Sequence, residues 1–134
     1  MADIRRITDT FAVAPQLAPE ELAEAARQGF RLIINNRPDG ESPDQPSSTD
    51  MAAAARDAGL DYLHIPVRGA PTANQAEAVQ DAISGADGPA LAFCKSGTRS
   101  IITWALGEAS RGRSREELIR LGRQAGYDLS SVLP

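Results

Sequence analysis

Cysteine, histidine and aromatic side chains are scarce in this sequence. Its 134 residues include one cysteine, Cys94, one histidine, His64, and only 4% aromatic residues. A single cysteine excludes an internal disulfide, and one cysteine with one histidine does not make an ordinary zinc-ligand set. We therefore expect a fold that needs no disulfide, metal or cofactor. Cys94 is then either a small apolar residue of the core or a reactive group.

Long apolar runs and an excess of positive charge are lacking as well. No apolar stretch approaches the roughly 18 residues that a membrane span needs, and residues 1–6 lack the apolar centre of a secretory signal. The formal net charge of -4, from 14 basic and 18 acidic side chains, leaves little general attraction for nucleic acid or an anionic membrane surface. The sequence thus predicts a cytoplasmic protein without nucleic-acid or membrane partners, in which any anion binds at a local site.

The pattern of apolar residues predicts strands that alternate with helices. With 42% hydrophobic residues, the chain can bury the core of one domain spanning residues 1–134. Continuous apolar runs indicate strands covered on both faces, so the predicted class is α/β, with a mainly parallel central sheet flanked by helices. The predicted strands are 11–13, 30–34, 61–67 and 89–93. The predicted helices are 19–29, 48–59 with Ser48 or Thr49 as N-cap, 72–83 capped by Thr72, 100–111, and 114–124 with a capping box at Ser114.

Three predicted loops follow the carboxyl ends of buried strands, namely the Pro- and Ser-rich segment 35–48, the segment after Val67 and the segment after Phe93. In parallel sheets, ligands bind outside the carboxyl ends of the strands. We therefore expect the three loops to form one pocket. The third loop is Cys94-Lys95-Ser96-Gly97-Thr98-Arg99-Ser100, which contains the single thiol.

This cysteine loop combines small residues with the start of a helix. Gly97, between Ser96 and Thr98, lets several backbone N–H groups turn toward one anion, and the helix dipole favours negative charge there. The same environment favours the thiolate of Cys94, which is the nucleophilic form. The candidate anion-binding residues are Lys95, Ser96, Gly97, Thr98 and Arg99.

Three side chains of the loop add to this chemistry. Arg99 offers a planar fork that can hold two oxygens of a phosphate-like group. Ser100 could donate a hydrogen bond to the thiolate, and Lys95 adds positive charge at the mouth. A cysteine that only fills the core would need none of these neighbours.

The motif Cys-x-x-Gly-x-Arg-Ser resembles the signature loop of cysteine-dependent phosphatases, especially the dual-specificity group. Together with the segments 11–17, 33–41 and 62–67, it also resembles a bacterial family, the phosphatase-like domain of beta-lactamase-hydrolase-like proteins. The resemblance implies a cysteine-phosphatase-like fold. It also implies a hydrolase mechanism in which the Cys94 thiolate attacks a phosphoryl group held by the amides of residues 95–100 and by Arg99.

The loop departs from the phosphatase pattern in two ways. Four residues separate Cys94 from Arg99, one fewer than in phosphatases of this kind, and Phe93 stands where those enzymes usually have histidine. Six-position loops that begin with cysteine resemble those of rhodanese-type sulfurtransferases, in which the thiolate accepts sulfur as a persulfide. Loop length therefore favours sulfur chemistry.

The expected general acid is missing from its usual place. Dual-specificity phosphatases carry an aspartate on the loop that corresponds to residues 68–72, where this sequence has no carboxylate. Asp39, and next to it Glu41, could reach the same rim and protonate a leaving group. Alternatively, Pro-Asp-Gly at 38–40 is ordinary turn chemistry, and Arg37 is a solvated loop residue. For His64 we expect a half-buried ring bonded to a backbone carbonyl, and for Trp104 a core position.

Three functions remain open. A phosphatase-like hydrolase with Cys94, Arg99, Ser100 and Asp39 as catalytic residues is the leading interpretation. A sulfurtransferase or persulfide carrier on Cys94 is almost level with it, and a non-catalytic oxyanion-binding module is the third. The expected partner is a small anionic substrate, either a phosphate ester or a sulfane-sulfur donor. The physiological substrate and the oligomeric state are left open.

Overall fold

A computed structural model describes all residues 1–134. Five strands and five helices follow one another along the chain. The strands are β1 (Arg5–Arg6), β2 (Phe11–Ala14), β3 (Leu32–Asn35), β4 (Asp61–His64) and β5 (Ala90–Phe93). The helices are α1 (Glu21–Arg27), α2 (Ser48–Asp57), α3 (Ala73–Gly85), α4 (Thr98–Ser110) and α5 (Arg115–Gln124).

The strands form one sheet in the order β1-β2-β5-β3-β4. Only β1 runs antiparallel to its neighbour, while β2, β5, β3 and β4 are parallel. Every residue of β2, β3 and β5 is buried, because these strands lie inside the sheet and helices cover both faces. The predicted class, α/β with a mainly parallel sheet flanked by helices, is confirmed.

Side chains of the central strand β5 supply both halves of the core. Ala90 and Ala92 belong to the apolar cluster on one face of the sheet, and Leu91 and Phe93 belong to the cluster on the other face, as the two-residue period of a strand requires. Trp104 lies in the first cluster with 2% of its surface exposed and stacks on Phe11 with ring centroids 5.2 Å apart. The prediction of Trp104 as a core residue is confirmed.

The helix starts correct the predicted boundaries in detail. The N-cap of α2 is Ser47, not Ser48 or Thr49, since the Ser47 side chain accepts a hydrogen bond from Asp50 N. Thr72 caps α3, as predicted, and the structure adds a complete capping box with Gln75. Ser114 caps α5 by accepting from Glu117 N, but the Glu117 carboxylate bonds Arg113 instead of completing the box.

Strand β4 and helix α4 also differ from prediction. β4 ends at His64, before Pro66, which has no N–H to donate to a sheet. α4 begins at Thr98, two residues earlier than the predicted Ser100. None of the five helices has the length and apolar character that crossing a membrane requires.

The three loops after β3, β4 and β5 meet at the same edge of the sheet. Asn35, the last residue of β3, lies level with Phe93 on one side and His64 on the other. Asn36 N donates to Phe93 O at 2.8 Å, and Val67 N donates to Asn36 O at 2.9 Å. The backbone therefore brings the segments after Asn35, Val67 and Phe93 together, as expected for parallel strands.

Candidate active site

Cys94 is the first residue after β5 and is completely buried. Gly97 N donates to its Sγ at 3.1 Å, so the chain folds back on the sulfur within three residues. Gly97 makes this turn with φ +90 and is the N-cap of α4. A Cβ at Gly97 would overlap the hydroxyl of Tyr127, so glycine is required here both for its conformation and for its lack of a side chain.

Backbone amides are available around the sulfur. The N–H groups of Lys95, Ser96, Arg99 and Ser100 have no hydrogen-bond partner in the protein, whereas Thr98 N donates to Ser96 Oγ at 3.3 Å. Unpaired amides at the start of a helix are the groups that proteins use to bind anions. Of the anion-binding residues expected from sequence, only Gly97 and Thr98 have amides already engaged inside the protein.

Arg99 lies at the rim of the loop and is held by two other segments. Its Nη1 and Nη2 donate to the Glu41 carboxylate at 2.7 and 2.8 Å, and Nη1 also donates to Val67 O at 2.9 Å. A guanidinium carries N–H groups on Nε as well as on both Nη atoms. Nε and one N–H of Nη2 therefore remain free on the adjacent edge of Arg99. The hydrogen bond with Glu41 raises the pKa of Arg99.

Glu41 is paired with two arginines. Its Oε1 also accepts from Arg37 Nε at 3.0 Å, and hydrogen bonds from Arg99 and then Arg37 lower the pKa of Glu41 to about 2. This carboxylate is therefore ionised at neutral pH and has no proton to give a leaving group. Arg37 is buried, with 4% of its surface exposed, so the expectation of a solvated loop residue is wrong. Its Nη1 donates to Gln16 at 3.0 Å.

Asp39 and Ser100 make contacts other than the ones expected from sequence. Asp39 Oδ1 accepts from Ser48 N at 2.8 Å, so its carboxylate serves the first turn of α2. Ser100 Oγ donates to Asn36 Oδ1 at 2.8 Å, and this bond ties the start of α4 to the end of β3 instead of reaching the thiol. The structure thus brings Arg99 and Glu41 together at the loop and directs Asp39 elsewhere.

His64 and Lys95, which the sequence also singled out, differ in their exposure and contacts. His64 is half-buried and its Nε2 bonds the Arg37 carbonyl at 2.9 Å, so the predicted contact with a backbone carbonyl is confirmed. Lys95 is exposed, and its own carbonyl accepts from Gln16 N at 3.2 Å.

An apolar groove of about 390 Å³ lies beside the Arg99 side chain. It runs between the loop after β4, the outer face of α4 and the end of the chain. Besides Arg99, its lining residues are Gly69, Ala70, Pro71, Ile102, Leu106 and Val132.

Tyr127 is a site neighbour that the sequence did not reveal. Its hydroxyl donates to Ser96 O at 3.0 Å, although Tyr127 lies beyond α5 near the end of the chain. No local motif connects the two residues, which are 31 positions apart. Asn36 and Gln16 were missed for the same reason.

The chain is similar to known proteins over most of its length. Residues 3–111 match the family model of the beta-lactamase hydrolase-like protein, phosphatase-like domain. The chain is 42% identical over 130 residues to the beta-lactamase hydrolase-like protein of Agrobacterium fabrum. The aligned region covers 95% of this chain but 30% of that protein's length. The chain therefore spans less than a third of this longer relative.

Two solved structures share the fold. A candidate phosphatase from Neisseria meningitidis has a TM-score of 0.86 and 30% identity, covering 96% of this chain and 92% of the other. Tk-PTP in its active form has a TM-score of 0.72 and 25% identity, covering 95% and 87%. With the family model matching most of its length, the chain belongs to the phosphatase-like domain family of beta-lactamase hydrolase-like proteins.

Proposed function

We propose that this chain is a cysteine-dependent hydrolase of the phosphatase type, with Cys94 as its nucleophile. One observation carries the proposal. The buried Sγ of Cys94 lies in a loop with four amides free of protein partners, next to an arginine that retains unpaired N–H groups. The likeness to a candidate phosphatase supports the same chemistry.

The proposed reaction has two displacement steps. The Cys94 thiolate attacks phosphorus, a sulfur–phosphorus bond forms, and the ester P–O bond breaks with its electron pair leaving on the alcohol or phenol oxygen. Water then attacks phosphorus, which releases inorganic phosphate and regenerates the thiolate. The loop amides and the free edge of Arg99 stabilise the negative charge on the phosphoryl oxygens in both steps.

Glu41 has a supporting role in this scheme. It occupies one edge of the Arg99 guanidinium and leaves the edge formed by Nε and Nη2 for the substrate. Because Glu41 and Val67 O hold Arg99 in place before substrate arrives, little reorganisation is needed when the anion binds.

The test is hydrolysis of an aryl phosphate by the intact chain. We expect Cys94→Ser to abolish turnover, and Arg99→Lys to lower kcat/KM by at least about tenfold, because lysine offers a point charge where the site uses a fork. Arg111→Lys is the matched control, since Arg111 also pairs with two carboxylates but lies past the far end of α4. Equal losses in the two arginine variants, or turnover that survives Cys94→Ser, would refute the proposal.

Sulfur transfer is the second candidate, and two observations favour it. The loop from Cys94 to Arg99 is shorter than in phosphatases, and both carboxylates expected at the rim are engaged, Asp39 by Ser48 N and Glu41 by two arginines. In this reaction, the Cys94 thiolate attacks the outer sulfur of thiosulfate, the S–S bond breaks, sulfite leaves and a persulfide forms. A thiol or cyanide then takes the outer sulfur, and no step requires a general acid.

Intact mass after treatment with thiosulfate or an aryl phosphate separates the candidates. A gain of one sulfur atom that dithiothreitol removes identifies a persulfide, whereas cysteine sulfinic acid, of nearly equal mass, resists this reductant. A trapped phosphoryl group identifies the phosphatase. An unmodified Cys94 and no turnover with either substrate would leave the third interpretation, an oxyanion-binding module without catalysis.

A further inference from the structure

Two carbonyl groups of the cysteine loop are held from outside the loop. Lys95 O accepts from Gln16 N at 3.2 Å, and Ser96 O accepts from the Tyr127 hydroxyl at 3.0 Å. The second contact comes from a side chain and not from the backbone, so one substitution can remove it. The phenolic O–H of Tyr127 thus holds the carbonyl side of the Ser96–Gly97 peptide.

The orientation of that peptide controls the environment of the thiol. In a planar trans peptide, the C=O and N–H point in opposite directions. When Tyr127 holds Ser96 O on one side, the N–H of Gly97 must point to the other side, where it donates to Cys94 Sγ at 3.1 Å. Because glycine is the least restrained residue, this peptide would rotate more freely without the anchor.

Tyr127 itself is firmly placed. Its N–H donates to Gly122 O at 2.8 Å at the end of α5, and the Arg5 guanidinium lies over its ring, 5.3 Å from the centroid. Leu129, two residues later, is buried in the core with 1% exposure. The end of the chain therefore presents the hydroxyl to the loop from a fixed position.

We propose that Tyr127 is a positioning residue for the nucleophile, which fixes the Ser96–Gly97 peptide so that Gly97 N–H stabilises the Cys94 thiolate. This inference rests on the proposed role of Cys94, but not on whether phosphorus or sulfur is attacked. Burial raises the pKa of Tyr127, and the nearby Arg5 guanidinium only partly offsets this effect. The phenol thus stays protonated at neutral pH and keeps its proton for Ser96 O.

Other charged groups near the thiol limit the choice of experiment. Arg99 reaches Cys94 from α4 and is paired with Glu41 from the loop after β3. Arg5 approaches Tyr127 from the first strand, Asp3 approaches it from the segment before that strand, and Lys95 is exposed on the loop itself. A conservative change at Tyr127 leaves all of these charges in place. Any change in thiol reactivity then reports the lost hydroxyl.

The test is the rate of Cys94 alkylation by iodoacetamide as a function of pH in Tyr127→Phe. We expect the profile to move to higher pH and the rate at neutral pH to fall roughly two- to twelvefold, the equivalent of one net hydrogen bond. Tyr62→Phe is the matched control, because its hydroxyl bonds Asn35 and Ser48 outside the loop. It should lose a hydroxyl without changing the alkylation profile.

The outcomes separate this inference from the proposed function. Identical alkylation profiles for folded wild type and Tyr127→Phe would overturn the positioning role, while a Cys94 that resists alkylation in both would instead count against Cys94 as nucleophile.

If Tyr127→Phe does not fold, fluorotyrosine can replace Tyr127 in the Tyr62→Phe background, since the chain has two tyrosines. The ¹⁹F chemical shift of this residue should then change with pH over the same range as the rate of Cys94 alkylation. In Cys94→Ser, this part of the pH dependence should be absent. A ¹⁹F chemical shift whose pH dependence is the same with and without the Cys94→Ser substitution would refute the proposal.

Discussion

At the scale of single residues, the pairing of Glu41 with Arg99 decides much of the site's chemistry. Fifty-eight positions separate the two residues, yet their bidentate contact is among the shortest in the molecule. The contact removes Glu41 from the set of proton donors and fixes one edge of Arg99. A residue considered as an acid from its place in the sequence is therefore a structural anion.

The low pKa of Glu41 makes a prediction about stability and pH. A carboxyl with a depressed folded-state pKa stabilises the fold above its unfolded pKa, and this contribution is lost as pH falls through the folded value. For Glu41, the window runs from the ordinary 4.5 down to about 2. We expect Glu41→Gln to be less stable than wild type at pH 6 by about 1 to 2 kcal/mol, because solvent screening limits a pair that is partly exposed.

Urea unfolding of both proteins at steps between pH 6 and pH 3 checks this expectation. The difference in free energy of unfolding should shrink as the pH falls. Asp44→Asn provides a control, since Asp44 is an exposed carboxylate of the same loop without an arginine partner. A wild-type advantage that stays constant with pH would contradict an ionic role for Glu41.

At the scale of secondary-structure elements, the first turn of α2 explains where Asp39 points. The side chain of Ser47 caps Asp50 N, and Asp39 accepts from Ser48 N. Two of the unpaired amides at this helix start thus have acceptors. The loop between β3 and α2 is shaped by this helix start as well as by Arg37.

This geometry predicts that Asp39 stabilises α2 and does not donate a proton to substrate. We expect Asp39→Asn, which keeps an acceptor oxygen, to retain turnover, and Asp39→Ala to lose about 1 kcal/mol of stability, as is typical of a lost cap. Ser47→Ala should lose a similar amount. A fall in kcat at the pH optimum together with disappearance of the basic limb of the pH profile in Asp39→Asn would instead establish Asp39 as the general acid.

At the scale of the whole molecule, neither carboxylate that the sequence suggests as a general acid is available at the cysteine loop. Glu41 is ionised, Asp39 caps α2, and the loop after Val67 has no carboxylate. An ester oxygen that leaves without receiving a proton departs more easily when its conjugate acid is strong. The absence of an available acid should therefore favour phosphate esters whose leaving group is the anion of a strong acid.

We expect the rate of hydrolysis to depend steeply on the leaving group. Across substituted phenyl phosphates, kcat/KM should rise strongly with the acidity of the phenol, and alkyl phosphates should react far more slowly. The measurement is a linear free-energy plot for wild type, with Cys94→Ser as the blank. Similar rates for aryl and alkyl esters would show that the site does supply a proton.

Local sequence patterns were sufficient for the elements but not for their exact ends. Continuous apolar runs identified β3 and β5, and the residues around Gly97 identified the turn into α4. The cap of α2 was misplaced by one residue, since three successive residues at 47–49 are all able to cap a helix. β4 was predicted too long because the segment beyond His64 still hydrogen-bonds to the chain after β3 without keeping strand geometry.

Apolar periodicity and residues adjacent in the chain are enough to predict the α/β class, the strand-loop-helix around Cys94 and the presence of Arg99 beside it. The folded chain adds the pairing of Glu41 with Arg99, the hydrogen bonds of Asp39 with Ser48 N and of Ser100 with Asn36, and the support of the loop by Tyr127. Periodicity reports which face of an element is buried. It does not report which distant side chains that burial brings together, and those distant contacts set the charge and the hydrogen bonds of the site.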